Sequence, residues 1–219
     1  MNRRPTLFAA VALAAAAVLS MSACGSGGAD SEANDKIAGA DTSGEASPSP
    51  AQMASTASDR PKIEVPSDVT YDFEWKATGD AGKDALLSDV EQRIKAVDMA
   101  IADQNALDRA YLFYTEGTAA AGTQQYIQQY VDHKARTTGL TRFYNESLTV
   151  DDDGTASLVY CGDQSKAFNK YLKTGKTDVT PVTKNSYVIY ASALRKSKKN
   201  GVWVTERMTS QRGSSHCQP

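Results

Sequence analysis

The stretch Ala-Ser-Leu-Val-Tyr-Cys-Gly-Asp-Gln-Ser at residues 156–165 opens the part of the sequence that decides the fold. It has the pattern of a β-strand that ends in a polar turn. Two further strand-like runs follow it, at residues 185–194 and 202–209. Asp153-Gly154 before the first run and Asn200-Gly201 between the last two are typical of tight hairpin turns. The last third of the chain is therefore predicted to be mainly antiparallel sheet.

One more strand is predicted on the N-terminal side of the first hairpin, at residues 140–150. The run at 185–194 has apolar side chains on both faces, which predicts a strand in the interior of the sheet. Residues 162–183 are polar and Lys-rich, and they are predicted to form a long loop. The sheet is thus expected to contain four strands.

Three helices are predicted ahead of this sheet. Residues 86–101 carry apolar side chains spaced by three and four, which predicts an amphipathic helix of about five turns. A shorter helix is expected within 105–117, capped by Asn105 and closed by Gly117. A third is expected at about 123–134, with Gly139 as its C-terminal stop. The charged residues of the first helix are predicted to lie mostly off its apolar stripe: Asp89, Glu91, Arg93, Lys95 and Asp98.

The order of the elements predicts the fold class. Residues 69–76 alternate strictly between apolar and polar side chains, so they are expected to form a strand or an extended arm. Helices followed by a run of strands are typical of α+β proteins. Residues 61–219 are the expected folded part, and their number suits one domain.

The first residues have the pattern of an export signal. Arg3 and Arg4 form a positive segment, and Leu7 to Leu19 is apolar but too short and too rich in Ala for a spanning helix. An ordinary charged segment is favoured over a twin-arginine signal, because the residues after the Arg pair fit the latter poorly.

The next residues, Met21-Ser22-Ala23-Cys24-Gly25, resemble a bacterial lipobox, although Met21 stands where Leu is usual. The resemblance implies that residues 1–23 are a signal peptide and that Cys24 carries the lipid, including palmitate. The protein would then be anchored on the extracytoplasmic side of the cell membrane. A plain signal peptide, or a buried Cys24, is the alternative.

Residues 24–60 after this site are expected to be a flexible tether. They contain mostly Gly, Ser, Ala, Asp, Glu and Pro, and they cannot bury enough apolar surface to offset the entropy of ordering. Acidic and basic residues are equal in number within 61–219. A neutral folded part gives no electrostatic reason to expect a nucleic-acid partner.

The cysteine count is consistent with one anchor and one pair. The sequence contains three Cys, so a lipid on Cys24 leaves Cys161 and Cys217. We predict that these two form a disulfide, because such bonds persist outside the cytoplasm. Two free thiols are the alternative.

No metal or cofactor is expected. His133 and His216 are the only two His in the sequence, too few for a zinc site once the cysteines are assigned. The Asp run at 151–153 before Gly154 resembles a calcium loop, but it lacks both the first carboxylate and the closing Glu. A solvated hairpin turn is the better interpretation.

Taken together, these features resemble the nuclear transport factor 2-like fold, also called SnoaL-like. Exported lipoproteins of high-GC Gram-positive bacteria with this architecture often carry a Cys-x-Asp-x-Ser turn and a terminal Cys. The corresponding residues here are Cys161-Gly162-Asp163-Gln164-Ser165 and Cys217, and the likeness covers about residues 68–217. It implies three N-terminal helices packed on a curved, largely antiparallel four-stranded sheet, which form a cone with an internal pocket.

The resemblance also suggests pocket residues. Enzymes of this fold use a carboxylate or a His as a base, with a Tyr or a carboxylic acid near the oxyanion. The candidates here are His133 and Asp163 as bases, with Tyr111, Tyr126 or Tyr144 as donors. We assign no catalytic residue, because His133 also fits a helix-end charge and Asp163 a turn residue.

The leading hypothesis is a lipid-anchored, non-enzymatic domain that binds a small molecule or another envelope protein through the mouth of the cone. The alternatives are a pocket enzyme of the isomerase or cyclase type, with His133 or Asp163 as its base, and a purely structural envelope component. The basic run at 195–199 is expected to be a solvated hairpin tip. Contact of this run with acidic envelope polymers or lipid headgroups is the alternative.

Overall fold

The structure is a computed structural model that describes residues 60–219. The predicted signal peptide at 1–23, the lipid site at Cys24 and the tether up to residue 59 lie outside the described residues. The helices are α1 (Ala81–Ala102), α2 (Arg109–Phe113) and α3 (Gly117–His133). The strands are β1 (Val69–Phe73), β2 (Ala135–Val150), β3 (Thr155–Tyr171), β4 (Thr177–Asp178), β5 (Tyr187–Lys196) and β6 (Trp203–Arg212).

The three predicted helices are present, but several of their boundaries differ from the prediction. α2 ends at Phe113, so Gly117 does not close it and instead begins α3. Asp108 caps α2, not Asn105, since its carboxylate accepts the Ala110 N–H at 2.7 Å. α3 starts at Gly117 instead of about residue 123, because the intervening Ala-rich residues are strong helix formers. It is closed by Lys134 in the left-handed conformation with φ 49°, so Gly139 is not its stop.

The sheet has six strands, so the prediction of four was wrong. The order of the hydrogen-bonded strands is β1-β2-β3-β5-β6, and β4 pairs with β3. β1 lies parallel to β2, and the other pairs are antiparallel. β5 lies between β3 and β6, which confirms its predicted interior position. The α+β class is confirmed as well.

The long loop predicted at 162–183 is also wrong in its first half. β3 continues through the Lys-rich residues as far as Tyr171, because the start of β2 lies beside it and pairs with it from Ala135 onward. Backbone N–H and C=O groups that find partners hold a polar segment in a sheet whatever its side chains prefer. The sequence pattern indicates a helix end before Gly139 and a loop after Gly162, so neither of the two paired segments was predicted to be a strand.

Irregularities in the strands accompany the curvature of the sheet. The register between β2 and β3 shifts between Leu140 and Arg142 and again between Tyr144 and Ser147. Such shifts bend a strand and increase its twist. Gly139 precedes the first shift with φ +92°, and a Cβ atom there would lie 2.1 Å from the Lys166 carbonyl oxygen. The close approach of the two backbones therefore requires Gly at this position.

α1 lies across the sheet, and its apolar residues pack against side chains of β2, β3, β5 and β6. This core cluster consists of Leu86, Leu87, Val90, Phe143, Ala156, Leu158, Tyr160, Leu194 and Trp203. A second cluster lies among the helices and consists of Ala96, Ala100, Ile101, Ala110, Tyr111 and Ile127. Aromatic rings of β1 extend the first cluster, since the ring centroids of Phe73 and Phe143 are 5.0 Å apart.

The predicted disulfide between Cys161 and Cys217 is present. Both residues are fully buried, and the bond ties the C-terminal tail to the middle of β3. The Tyr144 hydroxyl donates a hydrogen bond to the Cys217 carbonyl oxygen and secures the tail a second time.

Asp68 holds the first three strands of the sheet together at one end. Its carboxylate accepts two hydrogen bonds from the Arg136 guanidinium, both at 2.8 Å, and one from Lys170 Nζ at 2.9 Å. Arg136 belongs to β2 and Lys170 to β3, while Asp68 immediately precedes β1. These bonds hold the pKa of the Asp68 carboxyl group well below its usual range, with the Arg136 hydrogen bonds as the largest cause.

Within residues 60–219, no helix combines the length and the apolar character that crossing a bilayer demands.

Replacing Gly139 by Ala is expected to destabilise the fold by about 2–4 kcal/mol, because the change adds a backbone clash to an unfavourable positive φ. Gly175 is the matched control, since its φ is +69° and nothing lies within 4 Å of the position of a Cβ atom. Urea unfolding of both variants separates the two costs. Equal losses in Gly139→Ala and Gly175→Ala would show that the close approach to Lys166 costs nothing.

Replacing Asp68 by Asn is expected to lower the stability by about 1 kcal/mol at pH 7, a modest value because the carboxylate is partly exposed. The folded carboxyl group titrates below its unfolded pKa of about 3.9, so its contribution is complete above about pH 4 and is lost as the pH falls further. Urea unfolding of both proteins at pH 7, 5 and 3 measures the difference, with Asp152→Asn at an exposed turn as the control. A difference that stayed constant down to pH 3 would contradict this assignment.

Candidate functional site

A cavity of about 830 Å³ lies between α1, α3 and the sheet, and it is partly open to solvent. The helices contribute Arg93, Ile94, Val97, Asp98, Thr118, Ala119, Gly122, Thr123, Tyr126 and Tyr130. The sheet residues that line it come from β2 to β6, with Val69 of β1 and the segment 180–186 completing the wall. The long strands β2 and β3 supply the largest share of the sheet wall, so their pairing positions the site.

Aromatic side chains form part of the wall, among Thr, Ser, Asn and Gln side chains. Tyr160 and Tyr190, from the neighbouring strands β3 and β5, stack with their ring centroids 5.0 Å apart. The Tyr190 hydroxyl accepts a hydrogen bond from Gln164 Nε2 at 3.0 Å. On α3, Tyr126 and Tyr130 are one turn apart, and their hydroxyl groups are 3.2 Å from each other. Flat rings with a few polar atoms between them are typical of sites for ring-containing ligands.

Asp98 of α1 is the carboxylate of the inner wall. Its Oδ2 accepts a hydrogen bond from the Tyr71 hydroxyl at 2.7 Å, and its Oδ1 accepts one from Thr137 Oγ1 at 2.8 Å. Burial raises the pKa of the Asp98 carboxyl group, and these two hydrogen bonds oppose the shift. Both carboxylate oxygens are therefore already engaged by the protein.

Arg93 is the cation of the inner wall, and only 4% of the residue is exposed. Its Nη2 donates a hydrogen bond to Thr123 Oγ1 at 3.3 Å, across from α1 to α3. Its Nε is buried without a hydrogen-bond partner in the described residues. Burial lowers the pKa of the guanidinium, which nevertheless remains charged because the ordinary pKa of Arg is above 12.

The rim of the cavity is more exposed and more polar. Asp178 and Arg212 lie there, and Arg212 donates a hydrogen bond to the Asn185 carbonyl oxygen at 3.1 Å. Gly122 of α3 also lines the opening, and nothing lies within 4 Å of the position that a Cβ atom would take. The rim therefore has room for a larger side chain at residue 122.

Of the five pocket residues suggested by the sequence, Tyr126 lines the cavity. Tyr111 is fully buried in the second core cluster, where its hydroxyl donates to the Ala106 carbonyl oxygen at 2.8 Å. His133 is exposed at the end of α3, where its Nδ1 lies 2.7 Å from the Gln129 carbonyl oxygen. Tyr111 and His133 therefore lie outside the cavity.

The other two suggested residues belong to a different part of the sheet. Tyr144 holds the tail through its hydrogen bond to Cys217. Asp163 lies 3.5 Å from an Arg142 guanidinium nitrogen and accepts the Ser165 N–H at 2.8 Å. It belongs to β3, so the turn predicted for it is absent, although the predicted hydrogen bond to a backbone N–H is present. His133 and Asp163 are thus not brought together, and neither one contributes to the cavity wall.

The sequence interpretation missed Arg93 and Asp98 because both charges were expected off the apolar stripe of α1. A second stripe of the same spacing was the available signal: Asp89, Arg93, Ala96 and Ala100 are four, three and four residues apart, and all are buried. Small Ala residues beside two charges on one face of a helix indicate that other elements of the protein pack against this face as well.

Within the part of the chain that the structure describes, no three His, Cys, Asp or Glu side chains are grouped so that they could hold a metal ion.

The sequence matches no protein-family model and no curated protein sequence. Among solved structures, it is similar to a ketosteroid isomerase-like protein from Erwinia carotovora atroseptica, with 12% identity, coverage of 62% of this chain and 98% of that one, and a TM-score of 0.42. ActVI-ORFA from Streptomyces coelicolor matches with 12% identity, coverage of 63% and 97%, and a TM-score of 0.39. The intermembrane space region of chloroplast protein ARC6 matches with 13% identity, coverage of 61% and 97%, and a TM-score of 0.36.

Similarity at these levels says nothing about the activity of this chain. Three helices, a curved sheet of six strands and an internal cavity between them are all present in residues 60–219. Apart from the number of strands, which is six instead of four, this is the arrangement that the resemblance to the nuclear transport factor 2-like fold implies.

Proposed function

We propose that this protein is a binding protein that takes up a small, largely apolar molecule containing rings. The observation that carries the proposal is the open cavity of about 830 Å³ with aromatic side chains in its wall. Ligand sites in proteins usually have volumes of about 300–1,000 Å³, mostly apolar walls and a few polar groups that orient the ligand. A cone filled by its own side chains would have been expected of a purely structural component.

Binding without turnover agrees best with the polar groups. Both oxygens of Asp98 accept hydrogen bonds from protein side chains, which competes with their use as a base. His133 and Asp163, the bases of the alternative enzyme hypothesis, do not line the cavity. A carboxylate fixed in this way orients a ligand more readily than it removes a proton from one.

The proposed location is the outer face of the cell membrane, with Cys24 as the lipid anchor and residues 25–59 as the tether. The sequence pattern of residues 3–24 supports this location. The disulfide between Cys161 and Cys217 is compatible with it, since such bonds form in oxidising compartments. A tethered domain would present its cavity to molecules in the cell envelope.

The neutral fluorescent probe N-phenyl-1-naphthylamine tests the binding proposal. We expect its emission to rise on mixing with the protein, and we expect Gly122→Trp to weaken the binding about tenfold or more, because the indole would occupy the rim. The measurement is a fluorescence titration of each protein.

Two variants control for effects on the fold. Gly122→Ala adds only a methyl group at the same position, and Gln125→Trp places the same indole on an exposed residue of α3 outside the cavity wall. Both should bind the probe like the wild type. No rise in emission with the wild type, or equal binding by Gly122→Trp, would refute the proposed site.

Metabolic labelling with an alkyne analogue of palmitate tests the anchor. We expect the wild type, expressed in a bacterium with the lipoprotein pathway, to carry the label and to sediment with membranes. Cys24→Ser should lack the label, because the thiol that accepts the lipid is gone. Cys217→Ser is the matched control and should keep it; label on Cys24→Ser, or none on the wild type, would contradict the assignment.

A further inference from the structure

Arg93 is a buried charge for which residues 60–219 supply no counter-ion. Within residues 60–219, no carboxylate oxygen lies within 4.0 Å of its guanidinium nitrogen atoms. The hydrogen bond to Thr123 uses one donor of the five that a guanidinium offers. Its Nε is sealed from solvent without a partner, and the side chain forms part of the cavity wall. The structure therefore leaves most of the binding capacity of this group unused.

A neighbouring charge on the same helix shows that the chain can pair such groups. Asp89 is one turn before Arg93 and is 1% exposed. Its carboxylate accepts hydrogen bonds from Arg60 and, at 2.8 Å, from the Trp203 backbone N–H. Buried charges are normally compensated in this way, because removing an ion from water costs several kcal/mol. Arg93 is the exception on this face.

The other groups near Arg93 do not neutralise it. Burial raises the pKa of the phenols of Tyr160 and Tyr190, so both rings stay uncharged at neutral pH. Asp98 lies five residues further along α1, about 7.5 Å along the helix axis, and hydrogen-bonds to Tyr71 and Thr137. Arg212 is the other cation of the cavity, and it lies at the exposed rim with a backbone partner. The deep part of the cavity thus offers an unpaired positive charge to its contents.

We infer that the ligand of this cavity is an organic acid whose carboxylate pairs with Arg93 and whose apolar rings lie against the aromatic wall. This inference rests on the proposed function and specifies the class of its ligand. A guanidinium binds a carboxylate through two parallel hydrogen bonds, and Thr123 Oγ1 is in position to orient the guanidinium. The ligand supplies the counter-ion that the described part of the chain does not provide.

A pair of probes that differ in charge alone tests this inference. 2-Naphthoate and 2-naphthamide share their ring system, and each can be titrated against the complex of the wild-type protein with N-phenyl-1-naphthylamine. We expect 2-naphthoate to displace the fluorescent probe at a concentration about tenfold to a hundredfold lower than 2-naphthamide, the range that charged hydrogen bonds contribute.

Arg93→Met should abolish the preference for the acid, measured as the ratio of the concentrations of 2-naphthamide and 2-naphthoate that displace the fluorescent probe. Arg93→Lys keeps the charge but loses the paired donors, so an intermediate preference is expected. Arg207→Met removes an exposed Arg that does not line the cavity, and it should bind all three probes like the wild type. Without ligand, Arg93→Met should melt at the same temperature as the wild type or higher, because an unpaired buried charge has been removed.

The outcomes separate this inference from the proposed function. Equal displacement by the acid and the amide in the wild type would overturn the role of Arg93 while the cavity remains a binding site. A large drop in the melting temperature of Arg93→Met would assign Arg93 to the fold and would also overturn the inference. Failure of the wild type to bind N-phenyl-1-naphthylamine would instead remove the proposed function itself.

Discussion

The pairing between β2 and β3 is the constraint on which the rest of the structure depends. The two strands have 16 and 17 residues, far longer than average strands, and they carry β1 on one side and β5 on the other. A flat ribbon of this length could not wrap around a helix. The register shifts after Gly139 and after Tyr144 let the strands bend, so that one face of the sheet surrounds a space instead of filling it.

α1 determines what that space can do, because it carries two buried charges with different roles. Asp89 accepts hydrogen bonds from the Arg60 guanidinium and from the Trp203 backbone N–H, and these bonds connect the helix to the segment before β1 and to β6. Arg93, one turn later, lines the cavity, and its side-chain hydrogen bond within residues 60–219 is to the neutral Thr123 hydroxyl. A residue that costs stability in the empty protein is typical of a functional position, since packing alone would favour an apolar side chain there. The same helix therefore contributes one buried charge to the stability of the fold and another to the proposed ligand site.

Much of the fold could be predicted from the sequence, and the errors have common physical causes. The alternation around Tyr187–Leu194 and the pairs Asp153-Gly154 and Asn200-Gly201 are local signals, and the strands and turns they predicted are present. The paired cysteines were predicted as well. The strand residues around Lys166 were missed because only their distant partner strand, itself concealed behind a helix end, makes them a strand. Strand pairing between segments that are distant in sequence is difficult to predict from the local pattern of either segment.

The candidate site was harder to predict, because a cavity depends on what does not fill the space between elements. The aromatic row that starts in β1 continues two residues beyond it to Trp75. The Trp75 ring lies with its centroid 5.6 Å from that of Tyr160, a residue of the cavity wall. The second Trp of the sequence, Trp203, is buried in the core under α1. An intrinsic fluorophore thus lies beside the cavity wall, so occupancy of the cavity can be followed by ultraviolet emission without attaching a dye.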